Sequence, residues 1–292
     1  MRFDQIAVRA APLMFVFLWS TGFIGAKFGL PYIEPFTFLG IRMVFVVLLH
    51  IALVWLGGVR LTNAAETGHS IAAGLMVHGL YLGGVFTAIS QGVPAGISAL
   101  ITGLQPILTS TVANRWLGEK VSPLQWAGLI LGLVGVGLVL HDRNLLVAGT
   151  PLGWAASVVS LLGITLGTLY QKRYCGGIDW RAGNLVQYAA ACVFFGLGAF
   201  AFETRIIHWS GELVFAIAWL VLVLSVGAVG LMYWLIKRSA ATGFASLFYL
   251  VPVVTALMAY LLFGEKLDAL SIAGMAVVAV GVFMVNRAGA PR

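Results

Sequence analysis

The stretch LQPILTSTVANRWLGEKVSPLQWAGLILGLVGVGLV, residues 104–139, recurs as LVPVVTALMAYLLFGEKLDALSIAGMAVVAVGVFMV at residues 250–285. The two stretches superpose without a gap at a constant offset of 146, the difference between 250 and 104. Chance does not explain the agreement, so the chain contains an internal duplication. The offset pairs Pro106 with Pro252, Gly118-Glu119-Lys120 with Gly264-Glu265-Lys266, Ala127-Gly128 with Ala273-Gly274, and Gly135 with Gly281.

Apolar residues dominate both copies and the rest of the chain. Of the 292 residues, 61% are apolar and 9% are charged, and the mean hydropathy is +1.01. A soluble domain carries about 25% charged residues, so most of this surface faces lipid. The net charge of +7 does not indicate nucleic-acid binding, because the basic residues are scattered between apolar runs.

Ten segments are long enough to cross a bilayer, which takes about 20 apolar residues in a helix. The count becomes nine if the joint at 91–94 is a kink within one long helix. The sequence therefore predicts an all-α integral membrane protein with ten transmembrane helices. The expected spans are 10–29, 35–57, 70–90, 94–117, 123–141, 151–174, 181–202, 212–236, 242–263 and 269–287.

The basic residues fall mainly on one side of this ten-span layout. With a cytoplasmic N-terminus, twelve Lys and Arg lie inside, four lie outside and Arg42 lies within a span, which accounts for all 17. This bias predicts that both termini are cytoplasmic. The inside residues are Arg2, Arg9, Arg60, Arg115, Lys120, Lys172, Arg173, Arg181, Lys237, Arg238, Arg287 and Arg292, and the outside residues are Lys27, Arg143, Arg205 and Lys266.

The duplication divides the chain into residues 1–146 with spans one to five and residues 147–292 with spans six to ten. Because five is odd, the second copy enters the membrane from the opposite side. The sequence thus predicts two inverted five-helix repeats around a central cavity, in a single membrane domain. Inverted repeats are typical of alternating-access transporters. The alternative is a duplication that serves packing alone.

Several motifs resemble the EamA-type drug/metabolite transporter superfamily over nearly the whole chain. They are Phe17-Leu18-Trp19-Ser20-Thr21-Gly22 with Lys27, Pro35 followed by Arg42, and the paired proline and Gly-Glu-Lys blocks. Within that superfamily the chain is most similar to bacterial amino-acid exporters of the YddG type. The resemblance implies a ten-helix basket with a central cavity in the bacterial inner membrane, exporting amino acids, other metabolites or drugs.

A polar stripe marks span four as a candidate wall of the substrate site. Ser98, Thr102, Gln105 and Thr109 recur at steps of four, three and four, which places them on one helix face. The offset of 146 maps the stripe onto Phe244, Phe248, Val251 and Thr255 in span nine. We expect an amphipathic solute, such as an aromatic or neutral amino acid, to bind between a polar and an aromatic wall. Alternatively, the hydroxyls bond to their own helix and Gln105 joins two helices.

Aromatic residues with polar tips supply further candidates for substrate binding. His78 and Tyr81 share a face of span three, Tyr233 lies in the equivalent span eight, and Trp19 lies deep in span one. For His78 the alternative is a helix–helix hydrogen bond. Trp154 lies near a span end, where it suits an interfacial anchor.

Other residues fit structural roles. Arg42 is expected to extend its side chain toward water at the outer end of its span. Pro106 and Pro252 each remove a helix hydrogen bond and are candidate hinges for gating, although a bend need not move. The Gly-Glu-Lys triplets are expected to end helices. The GxxxG pairs Gly79/Gly83, Gly128/Gly132 and Gly163/Gly167 favour close helix packing or a dimer contact.

The sequence contains no sign of ATP-driven transport or of an enzyme. No GxxxxGK[ST] loop occurs, and all ten acidic residues fall in loops or at span ends. We therefore expect downhill export or exchange, with His78 as the one membrane-embedded route to proton coupling. The five histidines form no HExxH motif of a lipid-modifying membrane enzyme, and Cys175 and Cys192 suggest neither a disulfide nor a metal site. No cofactor is expected, and the chain could be a monomer or a homodimer.

Overall fold

The structure is a computed structural model that describes residues 2–93, 95–118, 120–139, 149–263 and 268–288. Helices account for nearly all of these residues, and the described ranges contain no strand beyond one isolated bridge between Ile33 and Ile207. The helices are α1 (Arg2–Gly29), α2 (Pro35–Leu56), α3 (Ala64–Ser90), α4 (Ala95–Thr102), α5 (Gln105–Trp116), α6 (Pro123–Val139), α7 (Pro151–Tyr174), α8 (Trp180–Phe202), α9 (Gly211–Arg238), α10 (Ala241–Ser246), α11 (Leu250–Phe263) and α12 (Ala269–Ala288).

The predicted class of an all-helical integral membrane protein is confirmed. Eight segments of the described chain are long and apolar enough to cross a bilayer, counting α10 and α11 as one. Helix α6 is a shorter apolar helix, and the expected fourth span consists of the short helices α4 and α5. The count of ten spans stays a prediction, and the boundary between residues 146 and 147 lies outside the described residues.

Local capping explains where several helices begin. Helix α3 starts at Ala64 rather than near residue 70, because Asn63 and Glu66 form a capping box in which each side chain bonds the other's backbone N–H at 2.9 Å. This box adds a polar turn before the apolar part of the helix. Helix α7 starts after Thr150, which accepts a hydrogen bond from the Gly153 N–H at 3.2 Å.

The joint at residues 91–94 is a break between two helices rather than a kink within one. Helix α3 ends at Ser90, Gly92 has a φ of +84°, and α4 begins at Ala95. A left-handed conformation at this point cannot continue a right-handed helix, and glycine adopts it without steric cost. The joint is also held by a bond from the Thr150 N–H to the Gln91 carbonyl at 3.1 Å.

Both proline-containing spans break at symmetry-related positions. Between α4 and α5 the chain makes a turn at 103–104, and between α10 and α11 it forms a 3-10 turn at Leu247–Tyr249. Proline cannot donate a helix hydrogen bond, so Pro106 leaves the Thr102 carbonyl and Pro252 leaves the Phe248 carbonyl without that donor. Both spans are therefore interrupted close to their prolines. Their movement as hinges stays a prediction.

A second pair of irregularities follows the same offset. Helix α3 contains a π-helical segment at Leu75–Leu80, and α9 contains one at Leu220–Ala228. Adding 146 to residues 75–80 gives 221–226, which lies inside the second segment. Segments of π-helix are often found at functional sites, and each of these two has a buried face, which includes His78 in the first and Ser225 in the second.

Helix pairing follows a two-fold relation between the halves. Helix α1 packs on α9 as its counterpart α7 packs on α3, while α2 pairs with its own counterpart α8 and α6 with its own counterpart α12. At the α6–α12 crossing, a Cβ on Gly128 would lie 2.7 Å from the Gly281 carbonyl, and one on Gly135 would lie 2.8 Å from the Gly274 carbonyl. The offset interchanges these two contacts. The small residues at this crossing therefore serve packing within the chain.

The α2–α8 pair is locked at one end by two carboxylates. Glu203 ends α8 and accepts hydrogen bonds from the Phe36 and Thr37 N–H groups of α2 at 2.6 and 2.7 Å. Glu34 precedes α2 and accepts a bond from the Arg205 N–H at 2.9 Å. Negative charge at a helix N-terminus is favourable because it satisfies N–H groups that lack helix partners.

We predict that Gly135→Ala destabilises the α6–α12 crossing, whereas Gly137→Ala on the same helix does not. A Cβ at residue 135 would lie 2.6 Å from the Val278 nitrogen, but nothing lies within 4 Å of a Cβ at residue 137. Overpacking of this kind lowers the free energy of unfolding by about 1–3 kcal/mol. Thermal unfolding in detergent measures the difference, and equal unfolding temperatures for the two variants would contradict the close crossing.

Candidate functional site

A small cavity lies where α1, α2, α3 and α9 meet. Its walls include Trp19, Arg42, His78, Tyr81 and Leu224, and its volume is about 30 Å³. That volume holds about one water molecule. A larger solute therefore needs the surrounding side chains to move apart.

One wall of this cavity is a cluster of aromatic rings. The Trp19 Nε1–H donates to the Tyr81 hydroxyl at 3.0 Å, and the two rings are stacked with centroids 6.0 Å apart. Phe248 meets the Trp19 ring edge-on at 5.6 Å, and Phe15 lies 5.1 Å from Trp19 and 5.5 Å from Phe244. Helices α1, α3, α10 and the turn after α10 thus each supply rings to one cluster.

Arg42 and His78 also line the cavity and form its polar side, with further polar side chains packed behind them. The Arg42 Nη2 donates to the Ser225 hydroxyl at 3.0 Å, and the Tyr188 hydroxyl donates to the Ser225 carbonyl at 2.9 Å. The His78 ring stacks on Tyr188 with centroids 4.3 Å apart. His50 lies on the other side, 5.0 Å from the Tyr188 ring. All of these side chains are buried.

The π-helical segments place the polar residues. Ser225 lies within the segment of α9, where its hydroxyl also donates to the Leu220 carbonyl five residues earlier at 2.9 Å. His78 lies within the segment of α3. A wider helical turn changes the direction of the following side chains relative to an α-helix, which allows polar groups to point inward from otherwise apolar helices.

The predicted candidates divide into three groups in the structure. Trp19, His78 and Tyr81 line the cavity, and Phe244 and Phe248 belong to the ring cluster behind Trp19. The span-four stripe lies elsewhere, against α7. Tyr233 is also separate: its hydroxyl accepts a bond from the Gln187 amide, and it lines a groove with Trp180 and Lys237.

The polar stripe makes one hydrogen bond to another helix, through Gln105, while the hydroxyls of Ser98 and Thr109 have no partner among the described residues. Gln105 Nε2 donates to the Thr168 hydroxyl of α7 at 3.3 Å, and the Thr102 hydroxyl bonds the Ser98 and Ala99 carbonyls of its own helix. Neither Gln105 nor Thr102 lines the cavity beside Trp19. The sequence predicts that the stripe faces the aromatic wall across that cavity. In the structure, the stripe meets α7, whereas the aromatic rings meet α1.

The expectation that Arg42 extends toward water is wrong. The side chain is 1% exposed and lines the cavity beside Trp19 and His78. The position of Arg42 near the outer end of its span suggested that the side chain reaches the surface. In the structure, α2 packs against α3 and α9 there. An arginine within an apolar span is itself a signal of a functional residue, but the position of Arg42 near the span end had favoured a structural role.

Phe15, Tyr188 and Ser225 are cavity neighbours that sequence reasoning did not single out. Phe15 is one helical turn before Trp19, so its position on the same face was readable from spacing. Tyr188 and Ser225 have no such signal, because their role depends on how α8 and α9 pack around α2.

Comparison with known proteins gives a consistent result. The model of the EamA-like transporter family matches residues 10–141 and again residues 151–287. A protein of Escherichia coli K12, named "Uncharacterized inner membrane transporter YedA", is 26% identical over 289 residues, covering 98% of this chain and 93% of that protein. A Salmonella typhimurium protein, named "Probable amino-acid metabolite efflux pump", is 25% identical over 282 residues, covering 93% of this chain and 92% of that protein.

The fold also matches a solved structure. A chain of known crystal structure superposes on this one with a TM-score of 0.79, covering 96% of this chain and 97% of its own length. The identity is 19%. At that level the match supports the fold and carries no information on substrate.

Proposed function

The chain belongs to the EamA-like transporter family, and from that premise we propose that it exports small amphipathic metabolites, with aromatic or neutral amino acids as the first candidates. The observation that carries this proposal is the cavity lined by the Trp19 and Tyr81 rings and by Arg42, with Phe248 packed edge-on behind Trp19. Rings bind apolar side chains, while the polar side binds charged or hydrogen-bonding groups. The name of the Salmonella relative supports the same solute class.

Two other functions remain as alternatives of lower rank. Export of drugs or other metabolites would use the same ring cluster, since aromatic pockets accept many shapes. A membrane-embedded lipid-modifying enzyme would need a cluster of His, Cys, Asp or Glu, and the described residues hold none able to bind a metal ion. The transporter names of the relatives also favour transport over catalysis.

Alternating access accounts for the smallness of the cavity. A solute the size of an amino acid needs far more room than about 30 Å³. The breaks before Pro106 and Pro252 lie at nearly equivalent points of the two halves; Phe244 lies just before the second break and Phe248 lies within it. We infer that bending at these prolines moves the rings and opens the cavity to one face at a time.

The first test is a counterflow screen of purified protein in proteoliposomes. We expect labelled phenylalanine or tryptophan to be exchanged, and Phe248→Ala to reduce that exchange by up to about tenfold, because it removes the edge-on ring that holds Trp19 in place, a contact of about 0.5–1.5 kcal/mol. Phe283→Ala is the matched control, since Phe283 is 62% exposed on the outside of the bundle. Exchange of cationic drugs in the absence of amino-acid exchange would favour the drug-export alternative.

We further propose that the protein lies in the bacterial inner membrane with both termini in the cytoplasm. The charge bias of the sequence and the inner-membrane name of the Escherichia coli relative support this orientation. The prediction is that a cysteine replacing Arg60 is labelled only from the cytoplasmic side and one replacing Arg205 only from the periplasmic side. Both are introduced after replacement of Cys175 and Cys192. Labelling of both from one side would refute the orientation.

We also propose that export is downhill or by exchange. The six acidic side chains that the structure describes lie at helix ends: Glu34, Glu66, Asp179, Glu203, Glu212 and Asp268. A proton relay through the spans would therefore have to use a histidine, and His50 and His78 both lie buried within spans with an Nε2 that has no partner among the described residues. We expect proteoliposome transport to continue at an unchanged rate when an imposed pH gradient is collapsed with an ionophore. A rate that falls to that of protein-free liposomes would show proton coupling instead.

A further inference from the structure

Arg42 is a buried cation whose hydrogen-bonding capacity is largely unused. It lies in the second turn of α2, and one hydrogen bond, from Nη2 to Ser225, engages its guanidinium. Nε and Nη1 have no partner among the described residues. A guanidinium carries five N–H groups, so most of its donors point into the cavity or its walls without an acceptor.

A charge held this way is unfavourable in the absence of an anion. Arginine keeps its charge in proteins because its pKa is too high for it to neutralise by losing a proton. Removing a charge from water is costly unless an opposite charge and hydrogen bonds compensate for it. Among the described residues, one hydroxyl and no carboxylate bonds the guanidinium of Arg42.

The carboxylates at the end of α2 nearest to Arg42 have other hydrogen-bond partners. Glu34 lies just before α2, but it accepts bonds from the Thr204 hydroxyl and the Arg205 N–H. Glu203 accepts from Phe36 and Thr37 at the first turn of α2. The other described acidic side chains lie at the ends of further helices. No carboxylate of the described chain therefore pairs with Arg42.

The position of Arg42 matches what a solute would need. It shares the cavity wall with Trp19 and Tyr81, so an anionic group on the guanidinium would place the remainder of the solute against the rings. Adjacent nitrogens of the planar guanidinium donate to both oxygens of a carboxylate, which makes arginine selective for such groups. His78, stacked on Tyr188, completes the same polar side.

We propose that Arg42 binds the carboxylate of the transported solute while Trp19 and Tyr81 contact its apolar part. This inference rests on the proposed export function and narrows its substrate class to organic carboxylates. An α-amino group is not required by this contact. Solutes that carry a cation and no carboxylate are excluded from the site, because they would meet the guanidinium with a like charge.

The competing interpretation is that Arg42 is structural and fixes the π segment of α9 through Ser225. The two interpretations differ in the sign of a stability change. Removing an uncompensated buried charge stabilises the empty protein, whereas removing a structural contact destabilises it. Arg42→Met is the suitable variant, because methionine is unbranched, apolar and adaptable in packing.

The first experiment compares solutes on the unaltered protein. Proteoliposome counterflow compares two solutes with a carboxylate, L-phenylalanine and 3-phenylpropionate, with two without one, L-phenylalaninamide and phenethylamine. We expect the carboxylates to compete at concentrations about tenfold or more lower, because a charge-assisted hydrogen bond provides that factor. Equal competition by all four would overturn the inference. A chloride titration separates an inorganic anion from the solute: transport stimulated by chloride, equally for acid and amide, would show that chloride occupies Arg42.

The second experiment measures the variants. We expect Arg42→Met to raise the unfolding temperature of the ligand-free protein by about 2 °C or more and to abolish the preference for phenylalanine over its amide, while Arg42→Lys retains part of that preference. Arg60→Met, at an exposed position in the loop after α2, is the control and should change neither. A lower unfolding temperature with an intact preference would show that Arg42 is structural.

The outcomes also separate this inference from the proposed function. Amino-acid exchange with no effect of Arg42→Met on carboxylate preference refutes the inference and leaves amino-acid export standing. Arg42-dependent transport of 3-phenylpropionate without amino-acid exchange supports the inference and refutes amino-acid export. If Arg42→Met does not fold, the solute series on the unaltered protein and the Arg42→Lys variant still decide the question.

Discussion

The lack of water between the two faces of a bilayer governs this structure, because polar groups there must find partners within the protein. Most hydroxyls of the described spans satisfy this need locally. Ser20, Ser110 and Thr168 each donate to the carbonyl four residues earlier in their own helix, at 2.7–2.8 Å. Several buried groups depart from this pattern, among them the amides of Gln171 and Asn184, and Arg42 is the buried residue of the described chain that carries a fixed charge. The same constraint that folds the chain therefore also marks its candidate site.

The two-fold relation between the halves supplies both the rigid and the adaptable parts of the molecule. Helices α6 and α12 cross through glycines in backbone contact, which leaves little freedom to rearrange. The paired proline breaks and the paired π segments interrupt regular helix at equivalent points nearer the cavity. Divergence between the copies then makes the interior asymmetric: Phe244 and Phe248 pack on α1, whereas the equivalent Ser98 and Thr102 belong to a stripe that meets α7.

Much of the fold and part of the site could be predicted from residue patterns. Apolar runs, a gapless repeat and helix-breaking residues predicted most of the helices, although the fourth span is two short helices. Depth within its span singled out Trp19, and spacing along one face singled out His78 and Tyr81. The stripe containing Gln105 is divided between α4 and α5 by the turn at 103–104. Its neighbouring helix was not predicted, because periodicity gives the direction of a side chain relative to its own axis and not the identity of the helix beside it. For the same reason the sequence predicted, wrongly, that the Arg42 side chain extends toward water.

Sequence alone determined the membrane environment, the helical class and the duplication, since each depends on composition or spacing along one chain. Tertiary structure alone decided which side chains share the cavity. Tyr188 and Ser225 come from helices far from Arg42 in sequence, and they meet it only because α2, α8 and α9 pack together around π-helical turns. Contacts between distant helices depend on crossing angles and on local departures from regular helix, which no single-chain periodicity records.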